Sequence, residues 1–141
     1  MEEMLESGRV PHTVADLMTR SLITVTDGET VEQAMHLMTD NDISSVVVEP
    51  DAQGTWGILT RRDIVAKIVK GGRNPATTKV GELAVRPVVS VPAETSIREA
   101  AGILSDSNFS RLTVTQGGRI IGIVTETDIF NAVEKYGWAA E

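Results

Sequence analysis

Cysteine is absent from this 141-residue chain. Disulfide scaffolds, thiol nucleophiles, zinc ribbons and iron–sulfur clusters are excluded with it. Histidine is scarce: His12 and His36 each stand alone, so a metal site would have to be all-carboxylate, and no calcium-loop spacing occurs. Aromatics make up 4% of the residues, and the 41% hydrophobic content comes from Val, Ile, Leu, Ala and Met. That composition favours a compact α/β core over an aromatic-rich sandwich. No apolar run approaches the ~18 residues of a membrane span. The opening Met1-Glu2-Glu3-Met4-Leu5 lacks the basic-then-apolar order of a signal peptide. The expectation is a cytoplasmic protein with no membrane partner. Basic residues are outnumbered 13 to 20, for a formal charge of −7, which argues against nucleic acid, because phosphate neutralisation needs clustered cations. Neither a Gly-x-x-x-x-Gly-Lys loop nor a His–carboxylate pair is present, so the chain reads as a non-enzyme with no catalytic residues and no metal.

What is present is a repeat. Shifted by 66 residues, the chain pairs Val14 with Val80, Leu17 with Leu83, Val25 with Val91, Ala34 with Ala100, Ser44 with Ser110 and Val48 with Val114. After the next turn the shift is 65, laying Gly57-Ile58-Leu59-Thr60 on Gly122-Ile123-Val124-Thr125 and Asp63 on Asp128. The residue is lost between the turn-rich stretches 49–55 and 115–119, where a length change is cheap. Each copy begins with a short amphipathic turn (Val14 to Met18, Val80 to Ala84) and a β-branched strand (Leu22 to Val25, Val88 to Val91). A helix follows behind a capping box, Thr30-x-x-Gln33 or Ser96-x-x-Glu99. Its apolar face is Val31, Ala34, Met35 and Met38, matched by Ile97, Ala100, Ala101 and Leu104. Met18, Met35 and Met38 read as core filler, His36 as a surface residue, and Trp138 beside Tyr136 as a packing anchor or dimer contact. Two strands around the turn come next (Ser45 to Glu49 with Trp56 to Leu59, Arg111 to Thr115 with Ile120 to Val124), then a last helix after Thr60 or Thr125.

The expected fold class is α/β (α+β): two pseudo-symmetric β-α-β-β-α repeats packed sheet to sheet. The domains read as an N-terminal extension 1–13, repeat one 14–69, a linker 70–79, repeat two 80–135 and a tail 136–141. A unit of roughly 50 residues is too small to bury both faces of a three-stranded sheet alone, and pairing two of them creates two equivalent clefts.

These elements resemble a tandem pair of CBS domains, the cystathionine β-synthase repeat, here as a stand-alone Bateman module. The matching pieces are Val14-x-Asp16-Leu17-Met18, Thr30-Val31-x-x-Ala34, Ile43-Ser44-x-x-Val47-Val48 and Gly57-Ile58-Leu59-Thr60-x-x-Asp63, with their second-copy counterparts, over roughly residues 10 to 135. The resemblance implies a regulatory module that binds an adenosyl ligand (AMP, ADP or ATP; alternatively S-adenosylmethionine or NAD) without performing chemistry on it. It also implies a homodimer that signals to an effector protein. A ligand-free dimerisation scaffold is the competing reading. The implied ribose and phosphate positions are Thr60, Asp63, Thr125 and Asp128, with Arg62 and Thr127 beside them. The implied pocket walls are Thr19, Ile23, Ile43, Ser44 and Ser45, and in the other copy Val85, Val89, Phe109, Ser110 and Arg111. Each pocket is expected to take its Thr-x-x-Asp from one copy and much of its wall from the other.

The chemistry of the residues is compatible with that role. A carboxylate accepts two hydrogen bonds from neighbouring hydroxyls, which suits Asp63 or Asp128 to a ribose diol. A strand that leads straight into a helix presents free N–H groups to phosphate. Thr60-Arg61-Arg62-Asp63 reads equally as an ordinary helix start, with a Thr cap and an acid in the first turn. Its formal charge is +1, against −2 for Thr125-Glu126-Thr127-Asp128, so the first site is expected to hold phosphorylated ligands more tightly.

Overall fold

The computed structural model describes residues 10–20, 22–107 and 111–138. Two compact units divide the chain: residues 22–88, and residues 1–21 together with 89–141.

In the 22–88 unit, β1 (Thr24–Val25), α1 (Val31–Asn41), β2 (Ser45–Val48) and β3 (Gly57–Thr60) follow in order. The sheet order is β1-β2-β3, parallel then antiparallel, with Thr24 opposite Val47 and Ser45 opposite Thr60. Helix α1 starts where the capping box placed it: the Gln33 N–H donates to Thr30 Oγ1 and the Thr30 N–H to Gln33 Oε1. It stops at Asp42, whose left-handed backbone closes the last turn. The chain then enters α2 (Arg61–Ile64), continues through a π-helical stretch Val65–Val69, and reaches α3 (Val80–Leu83). Val25, Val31, Ala34, Met38, Leu59 and Leu83 belong to one buried cluster. Met35 lies outside it and is exposed. The stripe through positions 31, 34 and 38 faces the sheet, and position 35 falls on its solvent edge.

The second unit contains a 3₁₀ turn Val14–Asp16, β4 (Ser90–Pro92), α4 (Ile97–Ser107), β5 (Arg111–Gln116), β6 (Arg119–Thr125) and α5 (Glu126–Tyr136). Its sheet repeats the same topology, β4-β5-β6, parallel then antiparallel. Val14, Val91, Ala100, Leu112 and Val124 belong to its buried cluster. The strands that open each copy are shorter than the sequence implied, or shifted: only Thr24–Val25 and Ser90–Pro92 pair.

The length difference between the copies has a local cause. Gln116 faces Arg119 across Gly117 and Gly118, whose φ values of +60° and +80° make the two-residue hairpin that follows the strand twist. In the first copy the loop is longer, and the Asp51 carboxylate organises it by accepting the N–H groups of Gln53 and Thr55.

Each sheet is extended by the opening segment of the other copy. Val85 exchanges two hydrogen bonds with Ile58, at 3.0 and 2.9 Å, on β3. Thr19 does the same with Ile123, at 2.8 and 3.1 Å, on β6. The compact units therefore do not follow the boundaries of the sequence repeats. The physical reason is edge satisfaction: β3 and β6 each present unpaired N–H and C=O groups that an added strand can take up. The glycine of each Gly-Ile-aliphatic-Thr motif allows the approach. A Cβ on Gly57 would lie 2.9 Å from Arg86 Cγ, and one on Gly122 would lie 2.6 Å from Met18 Sδ and 2.9 Å from the Thr19 carbonyl oxygen.

Candidate functional site

Thr60 is the last residue of β3 and the cap of α2. Its Oγ1 accepts the Asp63 N–H at 3.0 Å and donates to Asp63 Oδ2 at 2.8 Å. The strand-to-helix step also ties this corner to the entry of β2. The Arg61 N–H donates to the Ser44 carbonyl at 2.9 Å, and the Arg61 guanidinium donates to the Ile43 carbonyl at 3.2 Å. Ser45 is the ladder partner of Thr60. Ile23, whose carbonyl accepts the Val47 N–H, packs with Ile43 against the core. One unit thus brings together Ile23, Ile43, Ser44, Ser45, Thr60, Asp63 and, through its pairing with Ile58, Val85. Arg62 stands on the first turn of α2, exposed, its guanidinium without a hydrogen bond among the described residues.

Thr125 repeats the arrangement at the start of α5. Its Oγ1 accepts the Asp128 N–H at 3.1 Å, and Asp128 Oδ2 accepts the Thr125 N–H at 2.9 Å. Arg111 is the ladder partner of Thr125. Val89, whose carbonyl accepts the Thr113 N–H, packs against the core of this unit. Thr19 pairs with Ile123 two residues before Thr125, and Thr127 is exposed on α5. Phe109 and Ser110 lie outside the described residues.

Both Thr-x-x-Asp elements are therefore true helix caps. In each, Oδ2 serves the cap and Oδ1 carries no hydrogen bond among the described residues. The units also group the wall residues in a particular way. Val85 joins Asp63, and Thr19 joins Asp128, through the exchanged opening segments, while Arg111 stands in the same sheet as Thr125. Arg61 was not among the residues the sequence singled out. It is the cation fastened to the wall strand, and nothing in the sequence distinguishes it from its neighbour Arg62. Among the described residues no group of three or more His, Asp or Glu side chains is placed to hold a metal ion, and no helix is long and apolar enough to cross a membrane.

Comparison with known proteins matches this geometry to a family. The CBS domain profile fits residues 14–70 and again 80–135. An uncharacterised protein of Methanopyrus kandleri is 33% identical over 124 residues, 87% of this chain but only 63% of its own length. Hypoxic response protein 1 of Mycobacterium tuberculosis is 35% identical over 117 residues, 83% of this chain and 82% of that one. A crystal structure of Hypoxic Response Protein I contains two coordinated zinc ions and superposes with a TM-score of 0.70 at 33% identity, covering 84% of this chain and 97% of the other. A hexameric CBS-CP12 protein from bloom-forming cyanobacteria superposes with a TM-score of 0.80 at 31% identity, covering 88% and 74%. No catalytic family is indicated among these relatives. Two matched segments, two like sheets and two capped Thr-x-x-Asp corners lead to one assignment: the chain belongs to the CBS domain family, as a tandem pair of its domains.

Proposed function

We propose that this CBS pair is a regulatory, non-enzymatic module that binds an adenine nucleotide (AMP, ADP or ATP) and signals its occupancy to an effector protein in the cytoplasm. The observation that carries the reading is the pair of Thr-x-x-Asp caps. Each leaves Oδ1 of its aspartate available to a ribose hydroxyl, next to a wall formed by the opening segment of the other copy. Thr60, Arg62, Asp63, Ile23, Ile43, Ser44, Ser45 and Val85 form one candidate set. Thr19, Val89, Arg111, Thr125, Thr127 and Asp128 form the other, with Phe109 and Ser110 beside them in sequence. Formal charge ranks the first set as the tighter for phosphate. Arg61, Arg62 and Asp63 total +1, whereas Arg111, Glu126 and Asp128 total −1. Screened charges at a surface contribute ~1 kcal/mol each, enough for a preference of about tenfold.

Calorimetric titration with AMP, ADP, ATP, NAD and S-adenosylmethionine tests the reading. The expected result is saturable binding of an adenine nucleotide, its tighter and salt-sensitive phase removed by Asp63→Ala and kept by Asp128→Ala. ATP incubated with the protein should be recovered unchanged. Absence of heat with every ligand, together with no gain in melting temperature, would leave the ligand-free scaffold as the function. Self-association accompanies either role. Val65 and Val69 after α2, and Phe130 and Val133 on α5, are exposed apolar side chains at helical spacing, and the superposable CBS-CP12 protein is hexameric.

A further inference from the structure

Each unit carries a helix with an exposed apolar strip, and the two strips are rimmed by opposite charge. In the 22–88 unit, α2 and the π-helical stretch after it bury Ile64 and Ile68 and turn Val65 and Val69 to solvent, Val69 being 71% exposed. Arg62 precedes the two valines and Lys70 follows them. Both are exposed, and neither is in an ion pair among the described residues. In the other unit, α5 buries Ala132 and exposes Phe130, at 69%, and Val133. Glu126 precedes these and Glu134 follows, again exposed and outside any ion pair among the described residues. The plan is the same in both: two apolar side chains between like charges, at positions 62 and 70 or 126 and 134. Lys135, the cation of α5, comes nine positions after Glu126, which is about half a turn round the helix from it. The surrounding charge divides the same way. Residues 61–73 hold five cations and one acid, a sum of +4 in a chain of net charge −7, whereas α5 holds three acids and one cation, a sum of −2.

We propose that two copies of this chain associate through unlike helices, the α2 strip of one laid on the α5 strip of the other. Charge makes the choice. Packing like on like would set Arg62 and Lys70 against the same two cations of a second copy, and Glu126 and Glu134 against the same two acids. The unlike pairing puts a carboxylate opposite each cation. Such complementarity chooses the partner face more than it adds affinity, because like charges brought together reject the wrong one. The valines and Phe130 supply the apolar centre of the contact and the charges supply its rim. This inference rests on the self-association proposed above and adds which faces meet.

Sedimentation equilibrium of the full chain at low salt, without nucleotide, is the test. The parent should be dimeric or larger, with an affinity that falls as salt rises. Arg62→Glu with Lys70→Glu should raise the dissociation constant at least tenfold, and Glu126→Lys with Glu134→Lys should do the same. The chain carrying all four substitutions should associate to within threefold of the parent, since it exchanges the signs of the two strips. A like-on-like contact would show no such pattern, because reversing both charges of a strip leaves its repulsion from itself unchanged. Melting temperatures of each variant separate lost association from lost folding. Arg62→Gln with Lys70→Gln is the milder variant should the reversal unfold the unit, and it should weaken association at least threefold. A monomeric parent, its basic strip left for an acidic segment of another protein, would overturn this contact and the self-association together. A dimer indifferent to both charge reversals, or a four-substituted chain that stays dissociated, would overturn the unlike pairing alone.

Discussion

The two units solve one problem with different chemistry. In both, the opening segment of the other copy is laid against the last strand and fixed by a reciprocal pair of backbone hydrogen bonds. In the 22–88 unit the side chain that secures this segment is Arg86. It is only 15% exposed, and it donates to the carbonyls of Thr55 and Glu49 and to Asp27, with Asp51 at 3.5 Å. In the other unit the residue at the equivalent repeat position, Arg20, is exposed and makes no side-chain hydrogen bond or ion pair among the described residues, and the place beside Gly122 is taken by the Met18 side chain. The cause is visible in the facing residues. Where Arg86 finds Asp27, the second copy offers Ala93, and a cation without acceptors stays in water. Backbone pairing is the conserved half of the device and the side-chain fastening is interchangeable, a polar clasp in one unit and an apolar plug in the other.

The contrast is testable at its strongest point first. Arg86→Ala leaves Asp27 and two carbonyls without their donor and is expected to destabilise by about 3 kcal/mol, since hydrogen bonds involving charged groups are each worth ~1.5–3 kcal/mol. Arg20→Ala should stay within about 0.5 kcal/mol of the parent. Urea unfolding of both proteins measures this, and equal losses would break the comparison. Gly122→Ala comes next. Its Cβ would press on the Thr19 carbonyl at 2.9 Å, against 3.2 Å to the nearest backbone atom at Gly57. Overpacking of this kind costs about 1–3 kcal/mol, and Gly122→Ala is expected to cost more than Gly57→Ala in the same assay.

Smaller effects sharpen the comparison by showing where the units agree. Thr60→Val and Thr125→Val each remove a cap oxygen and should each cost about 1 kcal/mol, or roughly 3 °C in melting temperature for a chain of this size. A marked inequality would mean that the two corners are not equivalent caps. The smallest effect is acid sensitivity in the 22–88 unit. The Thr55 N–H, followed by that of Gln53 and the charge of Arg86, holds the Asp51 carboxyl below its ordinary value. The Lys79 N–H and the Arg73 guanidinium do the same for Glu82. A carboxyl depressed in the folded state contributes stability above its unfolded pKa and loses it as pH falls through the folded value. The loss should therefore begin below about pH 4, and Asp51→Asn should flatten it in a pH series of melting curves.

Much of this was legible in the sequence. The capping boxes, the β-branched strands and the twofold repeat are local patterns, and each specifies its element wherever it occurs. The exchange of opening segments was not legible. Val14–Met18 and Val80–Ala84 are so alike that a repeat keeping its own segment and one trading it satisfy the same hydrophobic pattern. Met35 was misplaced because an apolar side chain at the edge of a helical stripe carries the same letter as one at its centre. The Thr-x-x-Asp corners were readable as motifs and as caps, but their neighbours depend on strand register. Ladder pairing puts Arg111 beside Thr125, and the step out of β3 makes Arg61, rather than Arg62, the cation tied to the wall.

The traded segments also set the order in which a growing chain can be completed. Ile58 finds Val85 soon after it emerges from the ribosome, so the 22–88 unit can close while the second copy is still being made. Thr19 has no ladder partner until Ile123, more than a hundred residues later, has been synthesised. Through that interval Val14 and Met18, both buried in the finished protein, are exposed on a nascent chain. A segment made before either sheet is therefore among the last to be folded, and until Ile123 follows it stays adhesive and in reach of chaperones.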